Sequence, residues 1–143
     1  MAGSQVFVDT WGWVTVSSSR EAHHREVRTF LAGFRGQVYT SDYVLDETIT
    51  LLYARYPHQA EGAVREIMAI IIQGQVILEW ITEGLFATAW QLRQRYADKP
   101  GISFTDLTSV VVMQERSITQ ILTHDAHFMH IGLGLERVPA FAR

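Results

Sequence analysis

Short runs rich in β-branched and aromatic residues alternate along this chain with longer segments of helical spacing. That alternation narrows the fold more than any other feature. QVFVDT (5–10), QVYTS (37–41), VILEWI (76–81) and TQILT (119–123) read as strands, and a last short strand falls near LERVP (135–139). A helix is expected from about Arg20 to Phe34, with apolar residues at Val27, Phe30, Leu31 and Phe34 and a Ser18/Glu21 capping box at its start. DYVLDETITLLYARY (42–56) is helical by its apolar positions and is stopped by Pro57. Another helix runs from about Gln59 to Gln73 and ends at Gly74. TEGLFATAWQLRQRYAD (82–98) is amphipathic and stops at Lys99-Pro100-Gly101, and a further helix runs from Phe104 to about Arg116. Such alternation predicts an α/β sandwich on a mostly parallel sheet with right-handed crossovers.

A chain of 143 residues, with 48% apolar and 19% charged residues, is sized for one domain, 1–143, with one substantial core. SSSR (17–20) and DKPG (98–101) read as connections inside that domain. The longest apolar run, around IMAIII (67–72), falls far short of a spanning helix, so no membrane partner is expected. MAGSQVFVDT lacks the basic start and long apolar core of a signal peptide. With no cysteine there are no disulfides or thiolate metal sites, and the expected compartment is cytoplasmic. A net charge of −3 argues against a broadly basic nucleic-acid surface, though arginines could still cluster locally.

In open parallel sheets, ligands bind beyond the carboxyl ends of the strands. Asp9 follows the first strand, and Asp125 lies just past TQILT. Asp106 stands in the first turn of a helix entering from that edge, and Glu47 lies about one and a half turns into the helix after QVYTS. Each has a structural reading: Ser103-x-x-Asp106 as a capping pair, Asp9 and Asp125 as turn residues, Glu47 as a solvated helix residue. Four carboxylates converging on one edge would repel one another unless a cation lay between them. Oxygen-rich acidic sites suit Mg2+ or Mn2+.

VFVDT, TSDYVLDETITLL, ISFTDLTSVVVM and ILTHDAHF, in that order, resemble the PIN-domain proteins of the VapC-like type over nearly the whole chain. The resemblance implies a three-layer α/β/α sandwich and a metal-dependent ribonuclease using Mg2+ or Mn2+. It places the family's acids on Asp9, Glu47, Asp106 and Asp125, with Thr123 and Phe128 also matching. Asp9, Asp106 and Asp125 are then the expected metal ligands. Glu47 is either a ligand, directly or through water, or the group that orients the nucleophile. Thr10, Ser41, Thr105 and Thr123 are candidate hydrogen-bonding supports behind the acids. Lys99, the only lysine, is the first candidate for substrate phosphate; Arg93, Arg95 and Arg116 are further candidates whose simpler reading is as solvated helix residues. The implied partners are an RNA substrate, a second copy of the chain and a cognate antitoxin protein. Ile67, Ile70 and Ile71 are the candidate dimer face.

Trp11-Gly12-Trp13 after Asp9 departs from the family pattern, as does His127. Trp11 and Trp13 could stack on a base, although packing is the simpler reading, and Trp80 and Trp90 are expected in core or interface. His124, His127 and His130 could be imagined as a zinc site, but their spacing matches no known template. His23-His24 is expected to be exposed, and Asp46 to face away from Glu47. A receiver domain would need an acidic pair after the first strand and a late lysine. A haloacid-type phosphatase would need an acid where Trp11 stands, and a dinucleotide fold a Gly-rich turn after the first strand. The remaining alternative is a PIN-like module without catalysis that binds RNA or protein.

Overall fold

The computed structural model describes residues 4–131 and 134–140, leaving aside the side chain of His130. The described elements are β1 (Gln5–Val8), α1 (Thr10–Ser17), α2 (His24–Gly33), β2 (Gln37–Ser41), α3 (Asp42–Arg55) and α4 (Ala60–Ile72), then β3 (Val76–Glu79), α5 (Glu83–Arg95), α6 (Phe104–Arg116), β4 (Gln120–Leu122), α7 (His127–His130) and β5 (Glu136–Val138). The strands form one sheet in the order β3-β2-β1-β4-β5, and every neighbouring pair is parallel. With the helices packed against it, this is the expected three-layer α/β/α sandwich.

β1 is the central strand, and Val6, Phe7 and Val8 are fully buried, which suits a strand covered on both faces. Each such side chain contributes about 1.5–3 kcal/mol by leaving water. From β1 the chain builds outward through β2 and β3, then crosses back to β4 and β5 on the other side. The sheet therefore reverses direction between β1 and β4, where a crevice opens at the carboxyl ends of the strands. α6 is buried at every position from Leu107 to Met113. Its polar members there, Thr108 and Ser109, satisfy their hydroxyls by donating to the Thr105 carbonyl.

The structure departs from the sequence reading at the start of the chain. The run after Val8 is not strand: Trp11, Gly12 and Trp13 lie in α1, a helix with no apolar periodicity to betray it. Its start is set by Asp9, whose carboxylate accepts the Gly12 N–H at 3.1 Å. Gly12 is required by closeness, since a Cβ there would lie 2.8 Å from the side chains of both Leu122 and Val8. The expected Ser18/Glu21 capping box does not form. α2 begins at His24, the Ser18 hydroxyl accepts the Arg20 N–H, and Glu21 turns to α3 instead, accepting from Arg55 and Tyr56.

Ile67, expected on a dimer face, belongs to the core at 5% exposure, whereas Ile72 is 85% exposed. Trp13 is core, its indole N–H donating to Thr40 at 2.9 Å, while Trp80 and Trp90 are exposed. Among the described residues no helix is long and apolar enough to cross a membrane.

Candidate functional site

A cavity of about 420 Å³ opens at the reversal point of the sheet, and Asp9, Glu47, Asp106 and Asp125 all line it. Each arrives from a different element. Asp9 caps α1 directly after β1, and Asp125 lies three residues beyond the end of β4. Asp106 sits in the first turn of α6, and Glu47 lies in the second turn of α3. Asp46, its neighbour, is exposed.

Three of these carboxylates are fixed by backbone N–H groups. Asp9 accepts from Gly12. Asp106 accepts from Ser103 at 3.1 Å while the Ser103 hydroxyl accepts from Asp106 at 3.0 Å, a complete capping box. Asp125 accepts from the His127 N–H at 2.8 Å and pairs with the His127 ring at 3.0 Å. Asp106 is thus both a helix cap and a lining residue of the cavity. Thr123 ties two acids to each other: its hydroxyl bonds the Asp9 carboxylate and accepts the Asp125 N–H at 3.0 Å.

The acids are held where charge is costly. Burial pushes Asp9 up from 3.8 to about 7, against the lowering effect of the Thr123 and Gly12 hydrogen bonds, and the charges of Asp106 and Asp125 raise it further. Burial likewise pushes Asp106 up to about 6, opposed by its Ser103 bonds and reinforced by Asp125 and Glu47. Desolvation outweighs mutual repulsion at both positions, yet the coupling shows that the four groups feel one another.

The donor set fits a hard divalent cation. It is all oxygen, and the Thr10 hydroxyl, also lining the cavity, is buried without a hydrogen-bond partner. Among the described residues no three acidic or imidazole groups already close around one ion-sized point. The carboxylates ring the cavity instead. That arrangement suits Mg2+ or Mn2+ held by a few carboxylates, with water and substrate oxygens completing the shell.

The other expected site residues are dispersed. Ser41 is buried as the cap of α3, accepting from Val44, and the Thr105 carbonyl accepts the Thr108 and Ser109 hydroxyls inside α6. Lys99 does not line the cavity. Its carbonyl is instead a target of Arg93, whose guanidinium donates to the carbonyls of Ile102, Tyr96 and Lys99. Arg93 is therefore not a solvated residue: it fixes the loop that delivers Asp106. Arg116 pairs with Glu79 at 2.6 Å.

His124 stacks on Trp11 with ring centroids 5.3 Å apart and His127 pairs with Asp125, while the side chain of His130 lies outside the described ones. His23 and His24 are half-buried, His24 bonding to the Thr15 carbonyl at 2.9 Å. Sequence reasoning missed Arg55, which lines the cavity with Leu51 and Val14. The signal was present: Glu47, Leu51 and Arg55 recur every fourth residue and share one helix face.

The chain is similar to known proteins over most of its length. The family described as "PIN domain" matches residues 6–133. The chain is 34% identical over 127 residues to the 23S rRNA-specific endonuclease VapC20 of Mycobacterium tuberculosis, covering 89% of this chain and 94% of that protein. The crystal structure of Mycobacterium tuberculosis VapC20, described as a sarcin–ricin loop cleaving toxin, superposes with a TM-score of 0.80 at 32% identity, over 92% of this chain and 98% of that one. The VapBC-1 structure from nontypeable Haemophilus influenzae shares the fold, with a TM-score of 0.64 at 14% identity over 93% of this chain and 96% of that one.

Proposed function

We propose that this chain, which belongs to the PIN-domain family, is a divalent-metal-dependent endoribonuclease and the toxin of a toxin–antitoxin pair. The observation that carries the reading is the convergence of Asp9, Glu47, Asp106 and Asp125 on one cavity at the reversal point of a parallel sheet. Asp9, Asp106 and Asp125 would hold Mg2+ or Mn2+. Glu47 would bind it, directly or through water, or orient the attacking water. A divalent cation bound there supplies positive charge that polarises the attacking water and offsets charge gathering on the phosphate oxygens.

The chain's own residues supply positioning. The Gly12, Ser103 and His127 N–H groups each occupy part of one carboxylate and fix its direction. Thr123 holds Asp9 and Asp125 in register. Arg93 holds the loop ahead of Asp106. Such fixed ligands need little reorganisation when substrate arrives.

The relative named for 23S rRNA makes the sarcin–ricin loop the first substrate to test. Purified protein is expected to cut that RNA at one site with Mg2+ or Mn2+ and to stop in EDTA. Cutting that survives chelation would remove the metal from the account. RNA binding without any cutting would favour the non-catalytic module. An antitoxin is expected to be encoded beside the gene and to block the cavity with a basic side chain set among the carboxylates. Recovery of no complex on co-expression of the adjacent frame would count against the toxin role alone. The exposed Ile72, Trp80 and Trp90 support a homodimer, and light scattering that finds only monomer at micromolar concentration would remove it.

A further inference from the structure

We infer that the wall formed by Arg55, Trp11 and His124 is a subsite for the nucleotide flanking the cut bond, with the guanidinium on its phosphate and the ring pair against its base. This rests on the ribonuclease reading and names how the substrate is held.

All three residues line the same cavity as the acids. Arg55 sits two helical turns beyond Glu47 on one face of α3, about 12 Å along the axis. Its side chain leans back toward the helix start, so it covers part of that distance. It therefore suits a neighbouring phosphate rather than the one held by the carboxylates. A guanidinium beside several carboxylates would ordinarily fold onto them and neutralise the site. Here Glu21 restrains it, accepting from the Arg55 Nη1 at 3.3 Å. Glu21 is itself braced by the Tyr56 hydroxyl, over whose ring Arg20 lies at 5.8 Å. The contact with Glu21 engages one terminal nitrogen, and a guanidinium carries five N–H donors, enough to serve a phosphate as well.

The base has its own surface. Trp11 and His124 stack with ring planes 28° apart, and His23 packs against both, 5.0 Å from His124 and 6.1 Å from Trp11. Trp11 stands two residues after Asp9 and His124 one before Asp125, so the ring wall is tied by the backbone to two acids. Val14 and Leu51 add apolar lining to the same cavity. Flat π surfaces beside a cation are how proteins hold single-stranded nucleic acid without reading its sequence.

The test uses the full chain with Mn2+ and a short fluorescent RNA, following binding and cleavage across a salt series. Arg55→Gln is expected to raise KM about 5- to 10-fold with kcat within about twofold, and to lower the salt slope by about 0.7, the loss of one phosphate contact on a single strand. Trp11→Ala is expected to weaken binding at least about 5-fold with the slope unchanged, and Trp11→Phe to restore most of it. Glu21→Ala keeps the slope and raises KM, because the cation remains but has lost the acceptor that restrains it. Arg65→Gln, on the exposed face of α4, changes neither. Equal slopes in wild type and Arg55→Gln, or Trp11→Ala binding as wild type does, would overturn the subsite. If wild type binds RNA but does not cut it, the slopes and affinities still decide the subsite while the nuclease reading falls.

Discussion

Replacing Asp9 with Asn is expected to make the metal-free protein more stable. Asp9 is 7% exposed and its carboxyl is pushed from 3.8 to about 7, first by burial. At 1.36 kcal/mol per pKa unit, keeping it ionised costs the folded state about 4 kcal/mol above pH 7. Between pH 4 and 7 the native protein holds a proton that the unfolded chain releases, so metal-free stability falls as pH rises through that window. Asn removes the charge and caps a helix as well as Asp, so the Gly12 N–H keeps its acceptor. The Thr123 hydroxyl must re-pair with the new amide, which offsets part of the gain. The net expectation at pH 8 is about 2–4 kcal/mol, or roughly 10 °C in Tm for a domain of this size. Urea unfolding in EDTA at a series of pH values measures it, and the advantage should shrink steadily as pH is lowered toward 4. A variant less stable than wild type at pH 8, with an unchanged m value, would refute the buried-charge reasoning.

Three other changes probe the scaffold around the acids. In EDTA, Asp106→Asn should be more stable than Asp106→Ala by about 1 kcal/mol, because Asn keeps the bond to the Ser103 N–H; thermal melts compare them, and neither should gain from added Mn2+. Gly12→Ala should cost about 1–3 kcal/mol by driving a methyl into Leu122 and Val8, and an unchanged urea midpoint would contradict that close approach. Arg93→Ala should cost about 2–3 kcal/mol by removing a charged donor from three carbonyls, with faster amide exchange across residues 96–102 as its signature.

The order of strands and helices was legible because periodicity and stop signals agree along most of the chain. Pro57, Gly74 and Lys99-Pro100-Gly101 fall just after helices that end at Arg55, Ile72 and Arg95. The convergence of the acids followed from one rule, that sites lie beyond the carboxyl ends of parallel strands. α1 was not legible, because its mean apolarity is high all round and its defining feature is a side-chain cap from Asp9. The Ser18/Glu21 pattern misled for a related reason: the same residue types serve tertiary contacts, and Glu21 is taken by Arg55 and Tyr56. Arg93 and Lys99 show the limit for cations, since only the folded loop reveals that Arg93 binds three carbonyls and that Lys99 offers its backbone. Arg55 was readable from its spacing with Glu47, once a helix face rather than a single residue is the unit of reading.

The account rests on the four acids forming one divalent-cation site, and calorimetric titration of Mn2+ into the metal-free protein tests this most directly. Wild type is expected to bind saturably. Because burial pushes Asp9 up to about 7 and Asp106 up to about 6, binding at pH 6.5 should release more protons to the buffer than binding at pH 8. Asp9→Asn and Asp106→Asn should each lose most of the affinity while remaining folded. Absence of Mn2+ binding by wild type, or undiminished binding by both variants, would contradict the claim that these carboxylates hold the metal.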